Sequence, residues 1–243
     1  MESAMYSRLL LIAAICLHVP LTSAVTIKDQ LILEQQAYKV ASSFYYISLD
    51  EGNSEAYEEL ETVLTEMDGK LAGVRSEEQA KLNEVRSAWK ALKGFSRKNE
   101  MKEEGYTSHY ATVDVNTSRA NMVKALRGDD RSIKSPALDV EALELAAEMQ
   151  RLEMYYTEGA VSLLGFPYDK LDVDAKAFGE RVRKFEQRIK RESPETGKTA
   201  AEIVRAWVYI EKALINFHEI NVPELVKRMN KVIVSKLVEI SKA

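Results

Sequence analysis

Trp89 and Trp207 are the only tryptophans of the chain, and they stand 118 residues apart. The same spacing pairs Leu60 with Phe178, Leu64 with Val182, Met67 with Phe185 and Leu71 with Ile189. It goes on to pair Val85 with Ile203, Ala88 with Ala206 and Leu92 with Ile210. No gap interrupts this register, and the paired positions recur three or four residues apart, the period of one helix face. A repeat of this length carried by apolar positions points to an internal duplication. A helix with an apolar stripe must bury it against other elements, so the expected fold is two similar helical units.

The rest of the chain reads the same way. Glycine and proline are scarce, at 10 and 5 of 243 residues, and alternating strand patterns are almost absent. In the first unit the spacing predicts helices over residues 27–49 and 54–72, and a third opening at Ser76 with Glu78 and Gln79 and carrying Leu82, Val85, Trp89 and Leu92. Asp50-Glu51-Gly52-Asn53 reads as a turn, with Ser54 as the cap of the second helix. Residues 96–116 are expected to be irregular, with a charged stretch over 97–104 and a polar aromatic patch of Tyr106, His109 and Tyr110. A short helix over 117–127, closed by Gly128-Asp129-Asp130, would be a reduced fourth helix. Ser135-Pro136 marks the unit boundary. The second unit is more regular, with helices expected over 139–164, 172–191, 196–217 and 223–241, and Pro223 in the first turn of the last. Gly165-Phe166-Pro167 and Ser193-Pro194-Glu195 mark its turns. The expected fold class is therefore all-α: tandem up-down bundles of about four helices each, the first over residues 25–135 and the second over 136–243.

Residues 1–24 read as a secretory signal. A polar start with Arg8 precedes an apolar run over residues 9–19, and Thr22-Ser23-Ala24 supplies small residues before a cleavage expected after Ala24. The run is shorter than the roughly 20 apolar residues a spanning helix needs. Removing it leaves 219 residues with no cysteine and a net charge still at −4. Disulfides, thiolate chemistry and sulfur-based zinc sites are thereby excluded from the mature chain. The profile suits a periplasmic or secreted location. A surface of mixed charge with 30% charged residues offers no footprint for nucleic acid.

Catalytic parts are few. The mature chain keeps two histidines, His109 and His218, and neither belongs to a Glu-x-x-His pattern of the kind that builds metal sites in bundles. No phosphate loop, dinucleotide fingerprint or nucleophile elbow is present. No enzymatic activity, metal or cofactor is expected. The last helix is basic and amphipathic, but its stripe is accounted for by packing in its own bundle, and membrane contact is not expected.

Two tyrosine pairs fall in the first helix of each unit: Tyr45-Tyr46 and Tyr155-Tyr156. One ring of each pair should point inward and the other lie near a helix seam. Such rings serve equally as core residues with a polar tip or as walls of a small-ligand pocket between helices. In the second case Gln35, Gln36 and Lys39 on the first helix, with Gln150 and Arg151 on its counterpart, would be the polar anchors.

The stretch from Asp29 to Lys39, D-Q-L-I-L-E-Q-Q-A-Y-K, resembles the first-helix signature of PilJ/NarX-like sensor domains, R-Q-R-M-L-S-Q-R-M-x-K. These form the N-terminal domain of type IV pilus methyl-accepting chemotaxis transducers. Gln30, Leu33, Gln35 and Lys39 match it. In the second unit Met149-Gln150-Arg151-Leu152 stands where the S-Q-R-M core would be, and Val222-Pro223-Glu224-Leu225-Val226 opens the last helix in a similar way. The resemblance implies two tandem copies of a sensor-like domain, without a signalling module, that would pass any signal to a separate partner. No arginine lies between residues 25 and 72, so nitrate-type sensing by the first helix does not carry over.

The expectation is therefore an exported, non-enzymatic sensor-like protein that binds a small molecule or a membrane-bound signalling protein. The candidate ligand residues are Gln35, Lys39, Tyr45, Tyr46, Gln150, Arg151, Tyr155 and Tyr156. The alternative is a structural scaffold that binds another protein through exposed helix faces or residues 96–136.

Overall fold

Thr26 starts the first helix by accepting the amide of Asp29 at 3.1 Å, which satisfies one of the free donors of the opening turn. In this computed structural model, which describes residues 25–76, 78–127, 137–162 and 168–243, that helix is α1, Ile27–Leu49. It is followed by α2 (Ser54–Gly73), α3 (Gln79–Ser96), a one-turn α4 (Met101–Glu104) and α5 (His109–Arg127). The second half holds α6 (Leu138–Val161), α7 (Leu171–Glu192), α8 (Gly197–Ile215) and α9 (Pro223–Ile240). The described residues contain no strand, and the fold is all-α. The expected signal segment, Gly128-Asp129-Asp130, Ser135-Pro136 and Gly165-Phe166-Pro167 lie outside the described residues.

Side-chain bonds between neighbours set the helix directions. Lys39 reaches Glu66 and Arg97 reaches Glu61, so α1, α2 and α3 alternate in direction. Arg127 pairs with Glu34 and Tyr45 bonds Asn116, which runs α5 antiparallel to α1. Arg188 pairs with Glu141, Arg151 with Asp174, and Lys236 with Glu202, so α6 to α9 alternate likewise. Each half is an up-down bundle of four long helices.

The two cores meet along α1 and α6, which run parallel: Leu31 packs with Leu143 and Ala147, and Ser42 bonds Gln150 further along. This pairing explains the burial of α1. An amphipathic surface helix would leave one face wet. Here every residue from Leu33 to Ile47 except Lys39 is buried, because α2 and α5 cover one side and α6 the other.

Three local expectations change. Asn53, not Ser54, caps α2: its side chain accepts the Glu55 amide at 3.2 Å, and Ser54 is the first helical residue. The fourth helix of the first half is full length, starting at His109, eight residues before the expected start, because Ser108 caps it by accepting the Ala111 amide at 3.2 Å. Residues 96–108 are also tied down. Asn99, 5% exposed, donates to the Phe44 carbonyl at 3.2 Å and accepts from Thr107 at 3.1 Å. Gly52, at φ +75°, lets the α1–α2 turn approach this segment, since a Cβ there would meet Met101 Cγ at 3.3 Å.

Candidate functional site

The tyrosine and glutamine positions singled out from sequence do not gather in one pocket. They fall at four places around α1 and α6.

The first is a buried polar network between α1, α6 and α9. Gln150 sits at its centre: Nε2 donates to Glu153 at 2.7 Å and to Ser42 at 3.3 Å, while Oε1 accepts from Asn230 at 3.0 Å. Tyr46 donates its hydroxyl to the Pro223 carbonyl at 3.1 Å, and Lys227 Nζ lies 4.0 Å from the centre of its ring. Thr157 donates to the Glu153 carbonyl at 2.8 Å. Glu153 is 2% exposed. Burial pushes its carboxyl up to about 7, against the pull of the Ser42, Tyr46 and Thr157 hydroxyls and of the Lys227 charge. Burial and the neighbouring Glu153 hold the Tyr46 phenol far above its ordinary value.

The second place is the face of α1 that meets α5. Tyr45 donates to Asn116 at 2.8 Å, and Asn116 donates to Glu158 at 2.6 Å. Burial raises both the Tyr45 phenol and the Glu158 carboxyl. Tyr45 and Tyr46 are both buried, Tyr45 in the core of the first half and Tyr46 at the seam with α6 and α9, since α1 has packed neighbours on both sides. Gln35 and Gln36 are buried in the same helix, at 7% and 4% exposed, and Gln36 Oε1 has no hydrogen-bond partner.

The third place is the loop between α8 and α9. The Tyr156 hydroxyl donates to the Ile220 carbonyl and accepts the Val222 amide at 2.9 Å, so this ring pins the entry to the last helix. Lys39 stands apart on the α2 side, paired with Glu66 at 2.9 Å.

The fourth place is an open cleft of about 260 Å³ bordered by α1, α5, α6 and α7. Its charged lining is Glu34, Arg127, Glu144, Glu148, Arg151 and Arg181. Arg127 forks onto the 1%-exposed Glu34 carboxylate, and Arg181 reaches Glu148 and Glu144. Arg151 bonds Asp174 at 3.1 Å, and Asp174 also accepts the Tyr168 hydroxyl at 2.7 Å. The Tyr168 ring stacks on Tyr155, 4.1 Å between centres and 7° from parallel. Burial raises the Glu148 carboxyl, against the opposing Arg181 and Arg151.

Of the eight sequence candidates, Tyr46 and Gln150 share the network, and Arg151 and Tyr155 share the cleft side. Glu34, Glu153, Arg119, Arg127 and Arg181 were not anticipated. A usable signal existed for two of them. Glu34 follows Leu33, and Glu153 lies between Leu152 and Met154, in helices too apolar to leave a wet face at those positions. Comparison with family models, with curated proteins and with solved structures gave no significant match.

Proposed function

We propose that this chain is an exported, non-enzymatic binding protein of the periplasm, a sensor-like module that takes a small polar molecule in the cleft beside α1 and α6. The observation that carries the reading is the cleft itself: about 260 Å³, lined by charges of both signs, opening where the first helices of the two halves run together. Occupancy there touches both halves at once, which suits a module that reports binding to a separate signalling partner. The PilJ/NarX-like pattern around Gln35 and Gln150-Arg151 lies in those same two helices and supports the reading. The pairing supports the non-enzymatic part: Arg127, Arg151 and Arg181 are each held by carboxylates, an arrangement suited to orienting a ligand more than to moving protons.

Arg151→Gln with Tyr155→Ala tests this. Protein purified from the periplasm of its own host is expected to retain a small molecule in native mass spectrometry, and the double variant is expected to lose it. Equal retention by both would remove the cleft as the site.

The scaffold reading has its own observation. Tyr106 and Tyr110 are 59% and 82% exposed at the start of α5, with Val113 beside them at 44%. Because Asn99 ties the preceding segment to α1, deleting residues 97–110 would damage the fold. Tyr106→Ser with Tyr110→Ser is the cleaner test, and loss of partner capture at an unchanged melting temperature would favour the scaffold.

A further inference from the structure

Most buried polar groups in this protein satisfy one another, and Arg119 on α5 does not. It is 8% exposed, its Nε has no hydrogen-bond partner, and no carboxylate among the described residues lies within ion-pairing distance of it. Its guanidinium carbon stands 5.5 Å from the Tyr38 ring centre and 5.6 Å from that of Tyr155. Two aromatic rings stabilise a cation but offer no hydrogen-bond acceptor in their planes. Arginine stays charged in proteins, and interiors ordinarily hold it with a carboxylate. Glu158, an acid on which the Arg119 charge acts, is turned to Asn116 at 2.6 Å, and burial raises its carboxyl against the pull of Asn116 and Arg119.

The position of this unsatisfied cation matters as much as its chemistry. Three helices that border the cleft each carry a charged lining residue that has a second residue one or two turns along the same face. These pairs are Glu34 and Tyr38 on α1, Arg151 and Tyr155 on α6, and Arg127 and Arg119 on α5. One turn is about 5 Å. With α1 parallel to α6 and α5 antiparallel to both, Tyr38, Tyr155 and Arg119 form the level next to the cleft. Electrostatics tie the levels together: Arg127, Arg119 and Arg151 all pull down the Tyr38 phenol, which burial and Glu34 raise.

We propose that Arg119 anchors a small carboxylic acid that enters through this cleft. The assignment rests on the cleft being the ligand site and adds the class of ligand. A planar pair of oxygens matches the Nε–H and Nη–H fork of a guanidinium, which a spherical anion does not. The rings of Tyr38 and Tyr155 hold the cation in place, while Arg151 and Arg127 at the cleft can turn from their present carboxylates toward a second acid group. A short dicarboxylate therefore fits the arrangement better than a monocarboxylate.

Calorimetric titration and melting of the whole exported chain at constant ionic strength test this, with succinate, acetate and chloride as probes. Succinate is expected to bind saturably and to raise the melting temperature, acetate more weakly and chloride least. Arg119→Gln is expected to weaken succinate at least tenfold. Its ligand-free melting temperature should be unchanged or higher, since the substitution removes an uncompensated buried charge. Arg119→Lys, which keeps the charge and loses the fork, is expected to fall between the two and serves if the glutamine variant does not fold. Equal succinate binding by wild type and Arg119→Gln, chloride binding as tight as succinate, or no saturable binding of any carboxylate at millimolar concentration would overturn the proposal. A retained neutral molecule that the Arg151/Tyr155 double variant loses and Arg119→Gln keeps would leave the cleft as the binding site and overturn the carboxylate.

Discussion

The two tryptophans stand beside ion pairs of opposite polarity. In the first half the Trp89 indole donates to Asp68 on the second helix at 2.7 Å, and Lys93 on the third helix neutralises that carboxylate. In the second half the acid, Glu211, stands on the third helix and the base, Arg183, on the second, their forked bonds 3.0 and 2.6 Å long. Glu211 occupies the position that corresponds to Lys93, 118 residues on. Each pair holds its carboxylate below the ordinary range, through Lys93 for Asp68 and through Arg183 for Glu211. What the halves share is a large ring in the core beside an ion pair, and either helix can supply either charge. Packing tolerates this because the charges lie at the rim, where only proximity counts, whereas ring volume is fixed by the surrounding core.

Space around the ring differs more than charge does. Trp207 is fully buried, and Phe178 meets it edge-on at 4.7 Å. Gly179 lets its neighbours converge: a Cβ there would come 2.7 Å from Glu211 Oε1 and 2.8 Å from Arg183 Nη1 and Trp207 Nε1. The matching position of the first half is the exposed Glu61, whose carboxylate pairs outward with Arg97 at 2.6 Å. The second half is the tighter of the two at this level.

The largest test of that difference is removal of the rings. Trp207→Ala should cost about 4 kcal/mol and Trp89→Ala nearer 3 kcal/mol, since truncating a buried tryptophan costs roughly 3–5 kcal/mol. Urea unfolding checks this, and equal costs would break the contrast. Next in size is the seam where the halves meet. Glu153 has a folded-state pKa of about 7 against a reference of 4.5. A raised acid stabilises the folded chain fully below the unfolded pKa, and that stability is lost as pH rises from about 4.5 to 7. The penalty above pH 7 is on the order of 3 kcal/mol, from the size of the shift. Glu153→Gln should flatten the stability profile over that window, and an unchanged slope would mean the carboxyl is wetter than the fold implies.

Smaller effects separate the second helices. Gly179→Ala should destabilise by about 2 kcal/mol, the usual scale of a forced overlap in a packed core. Gly69→Ala in α2, where an added Cβ meets nothing within 4 Å, should stabilise by about 0.5–1 kcal/mol by restricting the unfolded chain. Thermal melts with the same sign for both would erase the asymmetry. Smallest of all, Asp68→Lys with Lys93→Glu copies the polarity of the second half into the first. The pair is partly exposed, so the double variant should lie within about 0.5 kcal/mol of wild type while each single change costs more. A double-variant cost equal to the sum of the singles would show that the helix carrying the acid matters after all.

The helical stripes were legible because they are local. Leu60, Leu64, Met67 and Leu71 announce one face of α2 by spacing alone, and all four are in the core. Their partners Phe178, Val182, Phe185 and Ile189 are likewise buried. The fourth helix of the first half was read eight residues too short, since His109, Tyr110 and Asp114 hide its stripe and its cap, Ser108, lacks the glutamate of a capping box. The candidate site was less legible still. Tyr155 and Arg151 were singled out from their residue types and stand on the cleft side. Arg119, in the run Thr117-Ser118-Arg119-Ala120-Asn121, looks like any solvated helix position.

The sequence by itself determined most of the helix spans, the apolar faces and the matching of Trp89 with Trp207, because a 3.6-residue period is a property of a few neighbouring residues. Only the tertiary structure decided that α1 lies parallel to α6. With that pairing came the burial of Glu34 and Glu153 and the placing of Arg119 between Tyr38 and Tyr155. The reason is physical: a charged side chain has the same local pattern whether it faces water or another helix, and its free energy depends on which helix arrives to cover it.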